Sequence, residues 1–425
     1  MDPMREILAN WTQKVPESEI RRLLKSKTKY YLAGGLPGNL PIKIFPKILR
    51  ELAEYYDEDP QNVIDEFQYG QTAGDSGFRK VLAERIHRRD GIDIISGADD
   101  WEKILITTGS QQAIYLSLDV LINPGDIVIT PSPAYLGFVT TVVKVGGHVI
   151  TAPTDSEGLI PDYVEDTIVK SEKEFDKKVK ALYVVEDSDN PKGTTLPFKR
   201  REQLFNIAEQ YDVVVIADSA YKEIQFEQRI HSMKTLDKEN DRVIYTSSTS
   251  KEAAPLRLGY SLMPDFLHLE AAKSKGYIDL CTPIITQRIA EIYYNKYIDD
   301  QLPDIVQKYK EQKDVAYKAL LDTFPEGDFT NPTGGFFIWW QPKGEKAYSF
   351  DVRKFNQEVL HPNEVLVVPG AAFYPPSGHS YDPEAREIQP LKVINGGMRI
   401  GYSFLPKDMI DTGVRRLGDL LKENL

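Results

Sequence analysis

Residues 103–130 read KILITTGSQQAIYLSLDVLINPGDIVIT. KILITT (103–108) is an apolar run of strand length. GSQQAIYLSLDVLI (109–122) spaces its apolar residues as a helix does, NPGD (123–126) is a turn, and IVIT (127–130) is a second strand. A strand, a helix and a strand in that order favour a parallel pair, because the crossover returns the chain to the same end of the sheet. The texture continues downstream. HVITAP (148–153), ALYVVE (181–186), VVVIAD (213–218) and RVIYTS (242–247) are further apolar runs, and RREQLFNIAEQY (200–211) is helical. Strands this apolar, alternating with helices, imply a mostly parallel sheet buried on both faces.

Upstream, residues 1–30 are helical in pattern and mixed in charge. YLAGGLPGNLPIKIFP (31–46) is a Gly/Pro loop that crosses between units, and helical patterns follow at Pro46–Tyr56 and Gly77–Arg89. After about residue 300 a long charged helix (Leu302–Phe324) leads to GGFFIWW (334–340), EVLVVPG (364–370), MRIGYSF (398–404) and a closing helix, Asp408–Leu425. The expected class is α/β: a large domain over 48–300 with a mostly parallel central sheet flanked by helices. A smaller α+β domain is expected from 1–47 and 301–425, with the start of the chain as its arm. A length of 425 residues exceeds what one core usually serves.

The net charge of −12 argues against a nucleic-acid surface, which needs a basic footprint. One cysteine, Cys281, allows no disulfide within the chain and suits a reducing, cytoplasmic setting. The charged start lacks the apolar core of a signal peptide, and no apolar run reaches membrane-spanning length. The six histidines are scattered without close-spaced pairs, so no metal site is expected.

In open α/β sheets ligands gather beyond the carboxyl ends of the strands. After KILITT come Gly109, Ser110 and Gln111, opening a helix. After IVIT come Pro131, Ser132, Pro133, Ala134 and Tyr135. After ALYVVE comes Asp187, then Asn190; after VVVIA come Asp218 and Tyr221; after RVIYTS come Ser248, Ser250 and Lys251, with Arg257 six positions on. Each has a bland alternative: a helix cap at Ser110, turns at Asn190 and Asp218, packing at Tyr135. Lys251 is the hardest to read that way, because a lysine is rarely buried without a task. Pyridoxal phosphate uses the whole set. It has an aldehyde that a lysine amine can capture, a pyridine nitrogen that a carboxylate keeps protonated, and a phenolic oxygen for Asn and Tyr donors. Its ring takes an aromatic neighbour, and its phosphate takes a helix start, hydroxyls and an arginine.

The ordered set LAGGLP (32–37), QYGQTAGDSGFRK (68–80), TTGSQQA (107–113), PAY (133–135), DNPKG (189–193), DSAY (218–221), STSK (248–251), GGFFIWW, VLVVPGAAFY (365–374) and MRIGYSF resembles the fold type I, class I aminotransferases. It is most similar there to the subgroup of kynurenine/2-aminoadipate and LysN-type enzymes. The resemblance implies that Lys251 bonds the cofactor and carries the reacting proton, and that Asp218 pairs with the pyridine nitrogen. Asn190 and Tyr221 would reach the phenolic oxygen, and Tyr135 would stack on the ring. Ser110, Gln111, Ser248, Ser250 and Arg257 would hold the phosphate, joined by Tyr69 from the other subunit of a homodimer. Arg399 would grip the substrate α-carboxylate, Gly35 would lie in the loop over the substrate, and Arg21 would meet an acidic substrate side chain. For Arg399 and Arg21, a solvated surface arginine is the alternative.

Three departures stand out. Lys192 replaces the family's threonine, the spacing from Lys251 to Arg257 is one residue short, and segments 32–46 and 378–397 are long. The last two segments are expected beside the substrate side chain. The implied activity is amino-group transfer from an aromatic amino acid, 2-aminoadipate or a broad range of donors to a 2-oxo acid such as 2-oxoglutarate, in ping-pong order. Rival readings are a lyase or racemase on the same scaffold, and a non-catalytic effector-binding module.

Overall fold

The computed structural model describes residues 7–38 and 41–425. The strands that frame the site are β1 (Ile104–Thr107), β2 (Ile127–Pro131), β3 (His148–Ala152), β4 (Val179–Val185), β5 (Val214–Asp218), β6 (Val243–Ser248) and β7 (Gly259–Leu262). They are followed by β8 (Gly327–Phe329), β9 (Phe337–Pro342), β10 (Val368–Pro369), β11 (His379–Asp382), β12 (Glu387–Pro390) and β13 (Met398–Gly401). Helices used below are α1 (Ser76–Asp90), α2 (Ser110–Leu121), α3 (Leu136–Lys144), α4 (Ile298–Thr323) and α5 (Lys407–Asn424).

One sheet has nine strands in the order β12-β11-β3-β2-β4-β5-β6-β7-β1. From β3 through β6 every pair is parallel, while β7 is antiparallel to both β6 and β1. The mostly parallel sheet is therefore as expected, but its order was not legible. β1 and β2, consecutive in the chain, sit far apart, and β7 went unseen because GYSL opens on glycine and carries a serine. The apolar runs are near-continuous because both faces are covered. Tyr183, Val185 and Ile216 pack with Ile114, Phe138 and Val142 of α2 and α3, while Leu182, Val184, Val215 and Ala217 pack on the opposite side.

The chain runs from β2 outward to β3 and then back across to β4. That reversal places a crevice at the carboxyl ends of β2 and β4. A second sheet, β8-β9-β13-β10, packs Ile338, Trp340 and Ile400 against Ala316 and Leu320 of α4 and Ile410 and Leu417 of α5. The early Tyr30–Tyr31 pair runs parallel to Val365–Leu366 beside it. The long segment 378–397 was expected at the substrate side chain. Its hairpin extends the larger sheet, where β11 pairs parallel with β3 and the Tyr381 hydroxyl and Arg386 guanidinium both bind Asp166, while Ile394 of the same segment packs with Tyr31, Leu136 and Phe373.

Candidate active site

Lys251 follows β6 in a single helical turn, Ser250–Ala253. Its Nζ lies 4.4 Å from the centre of the Tyr221 ring and 5.8 Å from that of Phe336. Burial lowers its pKa, against the opposing pull of Tyr135 and Asp218. A desolvated amine carries a larger neutral fraction, the form that attacks a carbonyl or takes a proton.

Asp218 ends β5. Its Oδ2 accepts the Tyr183 hydroxyl at 2.9 Å and its Oδ1 accepts the Ala220 backbone N–H at 3.1 Å. Burial raises the Asp218 pKa, and those two donors act against it. A buried carboxylate with unspent lone pairs is a ready partner for a ring N–H⁺.

The start of α2 forms an anion cradle. Gly109, with φ of 74°, turns β1 into the helix. A Cβ there would sit 2.8 Å from Arg257 Nη2, and one at Gly259 would sit 2.4 Å from the Ser110 backbone nitrogen. Both sites must therefore stay bare. Arg257 Nη1 donates to Ser250 Oγ at 2.8 Å, and the Ser250 N–H donates to Ser248 Oγ at 3.1 Å. Arg257 itself has a left-handed backbone, φ 53°. Such a conformation costs a non-glycine residue about 1–2 kcal/mol. An exposed guanidinium, hydroxyls and a helix start around bare glycines suit a phosphate.

Arg399, on β13, is fully buried. Nη1 donates to Asn190 Oδ1 at 2.7 Å, Nη2 donates to the Ala33 carbonyl at 3.0 Å, and the guanidinium carbon lies 3.9 Å from the Phe337 ring centre. Nε has no partner. Burial pulls its pKa down to about 10, so it is still charged at neutral pH. Among the described residues no carboxylate neutralises it, which leaves that place for one brought by a ligand. Gly35 borders it: a Cβ there would lie 2.7 Å from Phe337 Cζ and 3.8 Å from Arg399 Nη2.

Other expected residues are placed unevenly. Tyr135 precedes α3 and its hydroxyl donates to Gln111 Oε1 at 3.0 Å, while Gln111 Nε2 donates to the Gly137 carbonyl at 3.1 Å. The Gln111 side chain is thus spent on α3, leaving its backbone for the cradle. Tyr221 is buried edge-on to Phe336 and Phe337. Tyr69 is 82% exposed, apart from the others within one chain. Arg21 is exposed too; its neighbours Ile20 and Leu23, not Arg21, pack towards Tyr31, Leu136, Trp339 and Phe373. Lys192 points away, onto Thr154 Oγ1 at 2.9 Å and the Asp155 carbonyl at 3.3 Å. Sequence reasoning missed Tyr183 and Phe337. A phenol amid the apolar run ALYVVE was the available signal for the first. Among the described residues no His, Cys, Asp and Glu group is arranged to hold a metal ion, and no helix is long and apolar enough to cross a membrane.

The family described as aminotransferase class I and II matches residues 39–380. Aromatic-amino-acid aminotransferase 1 of Thermococcus litoralis is 34% identical over 96% of this chain and 92% of its own length. The kynurenine aminotransferase of Pyrococcus horikoshii, solved with PMP, superposes with a TM-score of 0.85 at 31% identity, covering 100% of this chain and 99% of that one. LysN of Thermus thermophilus, an α-aminoadipate aminotransferase solved with a phosphopyridoxyl-leucine adduct, gives 0.80 at 28% identity, covering 99% and 98%.

Proposed function

Because the chain belongs to the class I and II aminotransferases, whose solved relatives hold pyridoxamine or phosphopyridoxyl groups, we propose that it moves the amino group of an aromatic or similarly apolar L-amino acid to 2-oxoglutarate or a like 2-oxo acid. The cofactor is pyridoxal phosphate. The carrying observation is the buried Arg399, which has no carboxylate partner among the described residues and lies 5.2 Å from the Phe373 ring centre, beside an apolar cluster with Ile20, Tyr31, Leu136 and Ile394. A charged grip for the α-carboxylate next to apolar side chains favours an aromatic donor. Arg21, exposed, gives 2-aminoadipate less support.

Bound there, pyridoxal phosphate supplies the electron sink that makes the substrate Cα–H acidic. The chain's own work is local. Arg399, held by Asn190 and Ala33, fixes the substrate carboxylate and hence the direction of the Cα–H bond. Lys251 would be the residue that bonds the cofactor, and its amine, kept partly neutral by burial, is the group that would take the proton from the substrate Cα and deliver it two atoms along. Asp218, whose oxygens accept the Tyr183 hydroxyl and the Ala220 N–H, would be the carboxylate partner of the ring nitrogen. Ser110, Ser250 and Arg257 would hold the phosphate, and Tyr135 would cover the ring. Donor and acceptor would present their carboxylates to the one Arg399 in turn, which gives ping-pong order.

A cytoplasmic homodimer fits this reading. Tyr69 stands out from its own site, and exposed apolar side chains surround its segment: Phe67, Tyr277, Ile278 and Ile285, with Gly70 against Ile284 and Gly276 against Thr72. The division into 48–300 and a smaller unit of 1–47 plus 301–425 would put Lys251 on the first and Arg399 on the second, so that substrate binding draws them together. The test is a panel of amino acids offered to the purified protein with 2-oxoglutarate. Glutamate formation fastest with phenylalanine, tyrosine or kynurenine supports the reading; formation with 2-aminoadipate alone overturns the donor choice.

A further inference from the structure

We propose that Tyr183 is a positioning residue that fixes the aim and charge of Asp218 and ties it, through Phe138, to the segment carrying Tyr135. The inference rests on the cofactor reading above. In the β4–β5 register Val185 lies beside Asp218 and Tyr183 beside Ile216. Side chains two apart in a strand share a face, so Tyr183 stands one step behind Asp218 and points its hydroxyl forward. The two groups meet at 2.9 Å. The phenol ring is fully buried and lies almost parallel to Phe138, with centres 3.7 Å apart and planes 12° apart. Phe138 is on the first turn of α3, three residues after Tyr135. One rigid stack therefore connects the carboxylate meant for the ring nitrogen with the tyrosine meant for the ring face.

Packing alone does not call for a hydroxyl here. The surroundings are Ile114, Phe138, Val185 and Ile216, where phenylalanine would fill the same space. A buried hydroxyl is destabilising unless it is bonded, and its bonded partner among the described residues is Asp218. The two carboxylate oxygens are also served differently. Oδ1 takes a backbone N–H that does not depend on the identity of the Ala220 side chain, whereas Oδ2 depends on this one side chain. A donor to the ionised form keeps the carboxylate charged despite its burial. It thereby keeps the proton on the ring nitrogen rather than letting it pass to Asp218.

The experiment uses the holoenzyme. Tyr183→Phe and Phe138→Leu are compared with the unaltered chain by three readouts: dissociation constant for pyridoxal phosphate, pH midpoint of the visible band, and melting temperature. Tyr183→Phe should weaken cofactor binding about tenfold. It should also move the midpoint upward by about half a unit or more, because a less cationic ring leaves the lysine-bound nitrogen more basic. Phe138→Leu keeps the hydroxyl but frees the ring, and should shift both quantities the same way by less. A structural role alone would lower the melting temperature and leave the midpoint in place. Unmoved midpoint and affinity in folded Tyr183→Phe overturn the proposal. If that variant does not fold, an unmoved midpoint in Phe138→Leu does so. An unaltered chain that binds no pyridoxal phosphate overturns the parent reading itself, a result distinct from either.

Discussion

Arg399 Nη1 and Asn190 Oδ1 are 2.7 Å apart across 209 residues of chain, joining β13 to the loop after β4. Asn190 thus holds the guanidinium that, on the proposed reading, would receive both substrates. Asn190→Ala should lower kcat/KM for the amino donor and the 2-oxo acid together, by about 10- to 100-fold, the usual range for one lost hydrogen bond to a charge. Steady-state kinetics in both half-reactions measure this; a loss for one substrate class alone would contradict it.

Arg257 meets Ser250 and overlies the bare Gly109 at the start of α2. Arg257→Gln should weaken retention of pyridoxal phosphate by about 10-fold or more, since it removes a charge-assisted phosphate contact. Equilibrium dialysis of the holoenzyme reads the change. Binding of pyridoxal, which lacks the phosphate, should stay as it was in the unaltered chain.

Glu252, next to Lys251, is buried with Oε2 unpartnered, and burial, with Glu223 adding to it, pushes its pKa up to about 8. The sign follows from linkage. The folded state holds this proton between the ordinary value of 4.5 and about 8, while the unfolded state does not, so the group's contribution to stability falls as pH rises across that window. Thermal melts from pH 5 to 8 should show a decline that Glu252→Gln reduces. An identical slope in both proteins would contradict this.

Tyr277 is 96% exposed and Tyr69 82% exposed on neighbouring surfaces. Tyr277→Asp should dissociate the proposed dimer in sedimentation experiments and weaken cofactor binding at the same time, because Tyr69 would then have no second site to enter. Dissociation with unchanged affinity would place Tyr69 outside the phosphate contacts.

What the sequence showed follows physical lines. Side chains at strand ends were legible, because the apolar run marks the strand and the next polar residue marks its mouth; Ser110, Asp218 and Lys251 were found that way. Strand order was not, since β7, which separates β1 from the parallel strands, has weak apolar contrast. Tyr183 was hidden because a tyrosine inside an apolar run reads as packing until its hydroxyl is seen against Asp218. Which way Arg21 faces is not legible from its helix position; in the structure it is exposed, while Ile20 and Leu23 pack inward. The pairing of β11 with β3, some 230 residues away, leaves no local mark in the sequence.

The central claim is that Lys251 is the residue that bonds pyridoxal phosphate. Borohydride reduction of the holoenzyme, followed by proteolysis and mass mapping, tests it most directly. The account predicts a phosphopyridoxyl mass on the peptide containing Lys251 and none on that peptide in Lys251→Ala. A label carried instead by Lys192 or Lys222, the other lysines nearest the site in sequence, would contradict it.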